Sequence, residues 1–259
     1  MRIAISEVSF SYEKDERVLR DLSFEIPQNS VTGILGSSGC GKSTLLRLIC
    51  GILPSAPSNH LVGNIAFHDS DCSVFEMRRR GRIGFMFQEP GLLPNLTVEE
   101  NVRLPLEITR DIRSRAFVDE ILDTVGLSSY KTFLPKHLSG GMQTRVALAR
   151  TFISRPDLLL LDEPFSSLDF GWKIDLYSLL RQLMKELRAT VVLVTHDINE
   201  ILLLADRVIL LTSCGQFVSS TEILTPKPHS LSPDTLNSFF EAAKNYTLAF
   251  QSSLVSERR

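Results

Sequence analysis

Apolar residues alternate with small or polar residues along the first part of the chain, as in Ile3-Ala4-Ile5-Ser6. A period of two predicts strands with one buried face. Residues 43–50 instead have apolar positions at helical spacing, which predicts a helix. We expect strands over residues 2–10, 18–26 and 63–67, and the short apolar, β-rich run at 31–35 predicts another.

Short continuous apolar runs replace this alternation further along the chain. They predict strands over residues 83–87, 158–161, 191–194 and 208–211. Continuous apolar strands separated by helices are typical of a largely parallel sheet covered on both faces. Helical spacing over residues 97–126, opened by the capping-box pair Thr97 and Glu100, interrupts the alternation. We therefore expect an α/β fold with a helical subdomain inserted at about 95–150.

The composition of the chain changes after Thr221. Prolines then punctuate a loop, and Ser232 followed by Pro233 is typical of the start of a helix, which we expect to reach about Leu248. We expect one large domain over residues 1–221 and a loop-helix tail over 222–259.

The overall composition is that of an ordinary globular protein. The chain has 259 residues, of which 43% are hydrophobic and 22% are charged, with a formal net charge of -2. These values exclude a disordered chain and a fibre, and the slight negative charge argues against nucleic acid as a partner. The compact basic run from Arg78 to Arg80, with Arg82, is interpreted as a solvated loop before a strand rather than as a phosphate-binding patch.

The cysteines predict no metal or redox site, and the apolar runs predict no membrane span. Cys40, Cys50, Cys72 and Cys214 form no CxxC pair, so neither zinc ligation nor a redox motif is indicated. No run approaches the ~20 apolar residues that cross a bilayer, and the first residues lack the pattern of a signal peptide. We expect a protein that reaches a membrane only through a partner.

The strongest chemical signal is the segment Gly36-Ser37-Ser38-Gly39-Cys40-Gly41-Lys42-Ser43, which fits G-x-x-x-x-G-K-[ST] between a predicted strand and a predicted helix. Its glycines let successive backbone N–H groups turn toward phosphate oxygens, and the following helix adds the positive end of its dipole. Lys42 supplies a positive charge for the β- and γ-phosphates, and the Ser43 hydroxyl suits Mg²⁺. The segment predicts nucleotide binding.

Two carboxylates, Asp162 and Glu163, follow the buried strand at 158–161. Ligands of open α/β sheets bind at the carboxyl ends of the strands. Asp162 can hold Mg²⁺ through water there, and Glu163 can polarise a water against the γ-phosphate. The alternative is an ordinary solvated acidic turn, which the phosphate loop upstream disfavours.

The segment Leu138-Ser139-Gly140-Gly141-Met142 lies between these two motifs, with Ser139 23 residues before Asp162. The order of the three motifs resembles that of the ATP-binding cassette (ABC) ATPases, over almost the whole chain up to about residue 220. The resemblance implies an α/β P-loop NTPase (RecA-like) core with an inserted α-helical subdomain and an N-terminal antiparallel β-subdomain. It also implies hydrolysis of ATP to ADP and phosphate with Mg²⁺ as cofactor.

The resemblance also implies roles for single residues. Gln88 is similar to the Q-loop glutamine that senses Mg²⁺ and the attacking water, so the implied metal ligands are Ser43, Gln88 and Asp162. His196 is similar to the switch histidine that contacts the γ-phosphate, which makes Glu163, His196 and Gln88 the catalytic set. Tyr12 stands where the family has an aromatic that stacks on adenine, and Thr44 extends the ATP-binding loop.

The signature segment implies a partner. Ser139 can cap a helix that begins near Gly140, which leaves N–H groups for an anion. In the family this helix belongs to the opposite subunit, so each ATP lies between one phosphate loop and the other subunit's signature. The resemblance therefore implies a homodimer, or a heterodimer with a related chain, that ATP closes and hydrolysis opens.

The sequence departs from the family pattern at a few positions. Met142 replaces the commoner Gln, and Gln143 and Thr144 stand where a basic residue and Gln are usual. Ser167 replaces the usual Ala of the D-loop, which also contains Asp169. Residues 142–144 lie beyond the phosphate-binding end of the helix, so we expect these differences to adjust the ATPase activity rather than abolish it.

A single cassette without a membrane span is similar to systems in which the ATPase and the channel are separate chains. Residues 88–98 resemble the importer segment that docks a coupling helix of the permease. Leu92, Leu93 and Leu96 either line that groove or pack in the core. The motifs are most similar to the nitrate, sulfonate and taurine import group. This implies integral membrane permease subunits, a solute-binding protein that acts through the permease, and a peripheral location at the cytoplasmic face of the inner (cell) membrane.

Three alternatives remain. A lipid-transport or export cassette is the main one among transporters. A soluble ABC ATPase acting on ribosomes, DNA or iron-sulfur assembly usually carries a second cassette, basic linkers, coiled coils or zinc hooks, and the sequence has none of these patterns. A catalytically inactive partner is the third, and the presence of Lys42, Asp162, Glu163 and His196 argues against it.

Overall fold

The structure, a computed structural model, describes residues 1–12, 17–53, 60–68, 72–111, 115–166, 170–212 and 215–223. The chain divides into two compact units: a first unit of Met1–Asp71 with Thr190–Arg259, and a second unit of Cys72–Ala189. The D-loop residues Ser167 and Asp169 lie outside the described residues, as does the helix expected from Ser232 to Leu248. The domain boundary expected at residue 221 stays a prediction.

Strands and helices follow one another along both units. The first unit begins with β1 (Arg2–Ser11), β2 (Arg17–Ile26), β3 (Val31–Leu35), α1 (Lys42–Ile49) and β4 (His60–His68). The second unit contains α2 (Val74–Arg79), β5 (Ile83–Met86), α3 (Val98–Thr109), α4 (Arg115–Thr124), α5 (Gly140–Phe152), β6 (Leu158–Asp162) and α6 (Phe170–Leu187), with 3₁₀ turns at Ser128–Tyr130 and Pro135–His137. The chain then returns to the first unit with β7 (Thr190–Thr195), α7 (Ile198–Leu204), β8 (Arg207–Leu211) and β9 (Phe217–Glu222).

The first unit contains an antiparallel sheet with the strand order β2-β1-β4. Ile3 pairs with Ile26 across β1 and β2, and Ile5 pairs with Phe24. These four side chains are buried, because alternation places them on one face of the sheet. The alternating strands and the N-terminal antiparallel β-subdomain expected from the sequence are confirmed.

The first unit also contains the strands β7, β3, β8 and β9, adjacent in that order. β3 runs parallel to both β7 and β8, whereas β9 is antiparallel to β8. All six residues of β7 are buried. This agrees with the continuous apolar run that predicted a strand covered on both faces.

In the second unit β5 and β6 are parallel neighbours, and every residue of β6 is buried. Thr97 caps α3 as expected: its N–H donates to Glu100 Oε2 at 2.7 Å, and the Glu100 N–H donates to Thr97 Oγ1 at 3.3 Å. The reciprocal pair satisfies N–H groups that the first turn of a helix leaves without partners. The capping box is therefore confirmed.

The basic run at residues 78–80 was expected to be a loop, and this prediction was wrong. Arg78 and Arg79 form the last turn of α2, and Arg80 is its C-cap. Ser73 caps the start of the helix, and Glu76 lies 2.9 Å from Arg80 and 3.9 Å from Arg79. A charge pattern alone does not show these local pairs, which favour a helical turn.

Within the described residues, we find no helix that combines the length and the apolar character needed to cross a membrane.

Candidate nucleotide-binding site

The segment from Gly36 to Ser43 connects the carboxyl end of β3 to α1. Gly39 and Gly41 have φ angles of 81° and 95°, in the left-handed region that favours glycine. A Cβ on Gly41 would lie 2.6 Å from Leu19 Cδ2 and 3.0 Å from the carbonyl oxygen of Val18. The loop therefore needs glycine at this point both for its backbone angle and for its close contact with β2.

Lys42 is the charged group at the centre of this loop. Only 5% of the residue is exposed, and its Nζ donates to the carbonyl oxygens of Gly36 at 2.9 Å and Ser37 at 2.8 Å. These hydrogen bonds offset the free-energy cost of removing the Lys42 ammonium group from water. The charge is thus held inside the loop whose backbone N–H groups precede α1. A loop of this kind can hold the phosphates of a nucleotide.

Tyr12 and Thr44 are joined by a hydrogen bond. The hydroxyl of Tyr12 lies 3.0 Å from Oγ1 of Thr44, the third residue of α1. The ring of Tyr12 meets that of Phe10 edge to face, with centroids 4.9 Å apart, and the residue is 37% exposed. The structure thus places an accessible aromatic ring beside the helix that follows the phosphate loop.

His196 and the phosphate loop lie at the same edge of the sheet. Leu35 of β3 pairs with Thr195 of β7, so Gly36 and His196 follow directly after two paired strand ends. His196 is exposed.

Glu200 lies near this histidine and was not singled out from the sequence. Thr195 Oγ1 donates to Glu200 Oε2 at 2.5 Å, and the N–H of Asp197 donates to Thr195 Oγ1 at 3.0 Å. Glu200 is only 2% exposed. A glutamate inside an otherwise apolar stretch was the available signal, because a buried carboxylate requires partners. The bonds fix the backbone on both sides of His196.

In the second unit, Gln88 and the two carboxylates also share a sheet edge. Met86 of β5 pairs with Leu161 of β6, so Gln88 lies just beyond one strand end while Asp162 closes the other. Gln88 is exposed, Asp162 is 2% exposed and Glu163 is half-buried. The structure thus brings an amide and two carboxylates to one edge of the sheet.

Glu163 has a left-handed backbone, with φ 44°. This conformation is uncommon outside glycine and persists only where the surroundings hold it. Two hydrogen bonds from Ser166 hold it here: the Ser166 N–H and hydroxyl both donate to the Glu163 carbonyl, at 3.2 and 3.1 Å. Phe165 anchors the same turn, because it is fully buried against the ring of Tyr177.

The signature segment opens α5. Ser139 is the N-cap, and its Oγ accepts from the N–H of Met142 at 3.3 Å, which confirms the expected cap. Ser139 and Gly140 are exposed, and a Cβ on Gly140 would meet no atom within 4 Å. Gln143 donates to the carbonyls of Pro135 and Leu138, at 3.1 and 3.3 Å. The residue that departs from the family pattern thus holds the loop before the signature.

A groove of about 220 Å³ lies within the second unit. Its apolar lining includes Phe85, Leu104 and Ile108, and Ile108 is 71% exposed. Arg78 and Arg150 also line it.

Arg150 connects the groove to the segment after Gln88. It donates to the carbonyls of Pro90 at 2.6 Å and Gly91 at 2.9 Å. Burial lowers the pKa of Arg150 from its ordinary value, but an arginine remains protonated at neutral pH. The guanidinium of α5 therefore holds the backbone of residues 90–91.

Asn101 organises the next part of that segment. It is fully buried, and its Nδ2 donates to the carbonyls of Leu93, Leu96 and Thr97 at 3.0 to 3.1 Å. Its Oδ1 accepts from the N–H of Leu93 at 2.8 Å. Leu93 is 40% exposed, and Leu92 and Leu96 are half-buried, so these leucines do not belong to the buried core.

A glycine-rich loop between a parallel strand and a helix, with a buried lysine at its centre, defines the class of phosphate-loop nucleotide-binding proteins.

Comparison with known proteins narrows this class. The profile of the ABC transporter family matches residues 19–166. The chain is 41% identical over 196 residues to aliphatic sulfonates import ATP-binding protein SsuB 2 of Pseudomonas syringae pv. tomato, covering 76% of each chain. It is 37% identical over 219 residues to sulfate/thiosulfate import ATP-binding protein CysA 2 of Agrobacterium fabrum, covering 83% of this chain and 62% of the relative. A dimeric ATP-binding cassette in a post-hydrolysis state, bound to ADP and Pi, superposes with a TM-score of 0.73 at 31% identity, over 85% of this chain and 98% of the other.

The chain belongs to the ABC transporter family. It is an ATP-binding subunit that hydrolyses ATP to drive transport, and its fold is that of the ABC ATPase cassettes. The family, fold and ATPase activity expected from the motif order are thereby confirmed.

Proposed function

We propose that this chain powers the import of a small anionic solute, of the nitrate, sulfonate or taurine kind, through a separate membrane permease. Two similar proteins are named for import of aliphatic sulfonates and of sulfate or thiosulfate, both anions of sulfur oxoacids. The observation that carries the energy-coupling part is the buried Lys42 inside its loop of carbonyl and N–H groups. The cargo itself is recognised by other chains.

The phosphate loop and Tyr12 hold the nucleotide in this proposal. Residues 36–44 bind the phosphates through backbone N–H groups and the Lys42 ammonium, and the exposed ring of Tyr12 stacks on adenine. His196 reaches the γ-phosphate from the neighbouring strand end.

Ser43, Gln88 and Asp162 would hold Mg²⁺. Their hydroxyl, amide and carboxylate oxygens are the hard donors that this ion prefers, so the donor set fits. When bound, Mg²⁺ neutralises negative charge on the phosphate oxygens. Glu163 acts as the general base that takes a proton from the attacking water. Its turn is held by Ser166 and Phe165, so the carboxylate is positioned before the substrate arrives.

The partners in this proposal are a second copy of the chain and permease subunits. Segment 138–142 faces the other subunit's ATP, and the exposed N-terminus of α5 suits an anion. The segment of residues 88–98, in which Leu93 is 40% exposed, docks a coupling helix of the permease, which keeps the chain at the cytoplasmic face of the membrane. A solute-binding protein acts through that permease.

The transporter assignment is tested by purification of the tagged protein from its own cell membranes in mild detergent. Mass spectrometry should find a polytopic membrane protein in fixed stoichiometry. Reconstituted into vesicles, that complex should hydrolyse ATP faster when the lumen contains taurine or an alkanesulfonate with the binding protein. Stimulation by lipid alone would favour a lipid-transport cassette, and a purely soluble companion would contradict the transporter role.

The catalytic assignment is tested with Glu163→Gln. Loss of the general base should lower kcat by about 100-fold or more, while ATP binding and ATP-dependent dimerisation persist. Glu120→Gln, which changes an exposed carboxylate of the same unit, serves as the matched control. Rapid turnover by Glu163→Gln would refute the proposed base.

A further inference from the structure

Three backbone segments of the first unit meet at the phosphate loop: Val18 in β2, Cys40 and Gly41 of the loop itself, and Gly215 before β9. The N–H of Arg20 donates to the carbonyl of Gly215 at 3.0 Å, which joins β2 to the turn after β8. Gly215 is buried and has a φ of 70°. It lies outside the phosphate loop, the signature segment and the acidic pair.

No side chain fits at position 215. A Cβ there would lie 1.9 Å from the carbonyl oxygen of Val18, 2.9 Å from its carbonyl carbon and 3.2 Å from the carbonyl oxygen of Cys40. All three are backbone atoms, so no rotamer change relieves the contact. Any substitution must move β2 or the phosphate loop itself.

Val18 transmits such a movement to the far end of the loop. Its carbonyl oxygen and Cγ1 both lie 3.0 Å from the position of a Cβ on Gly41. Val18 therefore lies between two glycines, one in the phosphate loop and one in the turn after β8. A shift of Val18 away from position 215 would therefore press on Gly41, because the packing around these residues is close.

The same turn also meets the start of the phosphate loop. A Cβ on Gly36 would lie 3.1 Å from the carbonyl oxygen of Leu211, at the end of β8. The turn is closed by Thr212: its N–H donates to the Gln216 carbonyl at 2.9 Å, and its Oγ1 accepts from the Gln216 N–H at 3.0 Å. Leu211 thus lies against the start of the loop that would hold the phosphates, and Gly215 lies against its Cys40 end.

We propose that Gly215 is a positioning residue for the phosphate loop, and that its close contact with Val18 and Cys40 sets the loop geometry that binds the β- and γ-phosphates of ATP. The inference rests on ATP binding by residues 36–44. Gly215 touches no nucleotide itself. It acts through the backbone of β2 and of the Cys40–Gly41 turn.

The test is Gly215→Ala in the full chain, with fluorescent analogues of ATP, ADP and AMP as probes. Affinity for ATP and ADP should fall about tenfold or more, as expected when a distant change misplaces binding groups. Affinity for AMP, which has no β-phosphate, should stay within about twofold of wild type. The proposal is overturned if Gly215→Ala binds ATP like wild type, or if AMP binding falls as much as ATP binding.

Gly63→Ala is the matched control. Gly63 lies in the same unit with a φ of 87°, and a Cβ there would lie 2.3 Å from the carbonyl oxygen of Glu7. The substitution therefore imposes similar strain, but between β1 and β4. Its melting temperature should fall as that of Gly215→Ala does, while ATP affinity stays near wild type. An equal loss of ATP affinity in Gly63→Ala would show a general structural effect and would overturn the proposal.

Thr212→Val provides a second variant in case Gly215→Ala does not fold. It removes the hydroxyl that closes the turn without adding bulk. It should weaken ATP and ADP by about two- to threefold and leave AMP unchanged, and an unchanged ATP affinity would overturn the proposal. Lys42→Ala distinguishes failure of the Gly215 proposal from failure of the phosphate-loop assignment. If the loop does not bind ATP, Lys42→Ala should bind ATP like wild type. If the loop binds ATP and only the role of Gly215 is wrong, Lys42→Ala should still lose ATP affinity.

Discussion

The phosphate loop and the signature segment are both rich in glycine, yet their glycines occupy opposite environments. A Cβ on Gly41 would meet Leu19 and Val18 at 2.6 and 3.0 Å, whereas a Cβ on Gly140 would meet nothing within 4 Å. Gly41 has a positive φ, and Gly140 begins a regular helix. Gly41 is required by close packing within the first unit. Gly140 instead leaves open space at the start of α5, where a binding partner can approach.

The two regions also differ in what holds them. Backbone contacts around Gly36, Gly41 and Gly215 maintain the phosphate loop. In the signature segment, the Ser139 hydroxyl accepts a hydrogen bond from the Met142 N–H and the Gln143 amide donates to the Pro135 carbonyl. Crowded backbone gives a rigid cradle for a fixed ligand, whereas a capped, exposed helix end suits a contact that forms and breaks. Substitutions in the two regions should therefore affect different steps of the reaction.

The largest effect is expected from Gly41→Ala. The new methyl group would collide with Leu19 and the Val18 carbonyl at an unfavourable φ, so ATP affinity should fall about 100-fold or more. Binding of a fluorescent ATP analogue checks this. Gly39→Ala is the matched control, because Gly39 has a φ of 81° but no atom within 4 Å of a Cβ. Equal losses in both variants would show that backbone angle, not crowding, governs the loop.

Ser139→Arg should separate binding from closure. The exposed arginine would obstruct the approach of a second subunit, so ATP-dependent dimerisation and hydrolysis should be lost while the isolated chain binds ATP within about twofold of wild type. Size-exclusion chromatography with light scattering, in the Glu163→Gln background, measures the dimer. Thr132→Arg adds the same charge at another exposed position of the second unit. Persistence of the dimer in Ser139→Arg would contradict the opposed arrangement.

Asn101→Ala should destabilise the second unit. It leaves the carbonyls of Leu93, Leu96 and Thr97 without their buried donor, so the free energy of unfolding should fall by about 2–3 kcal/mol. Denaturant unfolding of the purified chain measures this. Asn95→Ala, at an exposed position in the same segment, should have little effect. A stable Asn101→Ala variant would mean that the loop is held by other contacts.

The smallest effect concerns the pH dependence of α3. Hydrogen bonds from the backbone and side chain of Thr97 lower the pKa of Glu100 below its ordinary value of 4.5. A lowered pKa in the folded state gives stability that is present above pH 4.5 and is lost as pH falls through the lower folded value. Acid titration followed by circular dichroism should show a slightly smaller loss of helix for Glu100→Gln than for wild type. Identical titrations would show that the ionised carboxylate contributes nothing to the cap.

Much of the fold could be predicted because its signals are local. Period-two alternation identified β1 and β2, and continuous apolar runs identified β6 and β7. Thr97 and Ser139 marked helix starts, because a cap depends on residues three positions apart. The basic run at Arg78 was misread as a loop, since its outcome depended on Ser73 and Glu76 rather than on charge alone.

The sequence motifs and their order are sufficient to infer the phosphate-binding loop, the two carboxylates after β6 and the family. Each motif is a short run of residues, and its chemistry depends only on residues that are adjacent in the sequence. The roles of Gly215 and Glu200 could not be inferred in this way. Gly215 matters because the chain returns, far along the sequence, to contact Val18 and Cys40. Glu200 matters because folding buries its carboxylate against Thr195 beside His196. Close packing between distant segments exists only in the folded chain, and no local pattern encodes it.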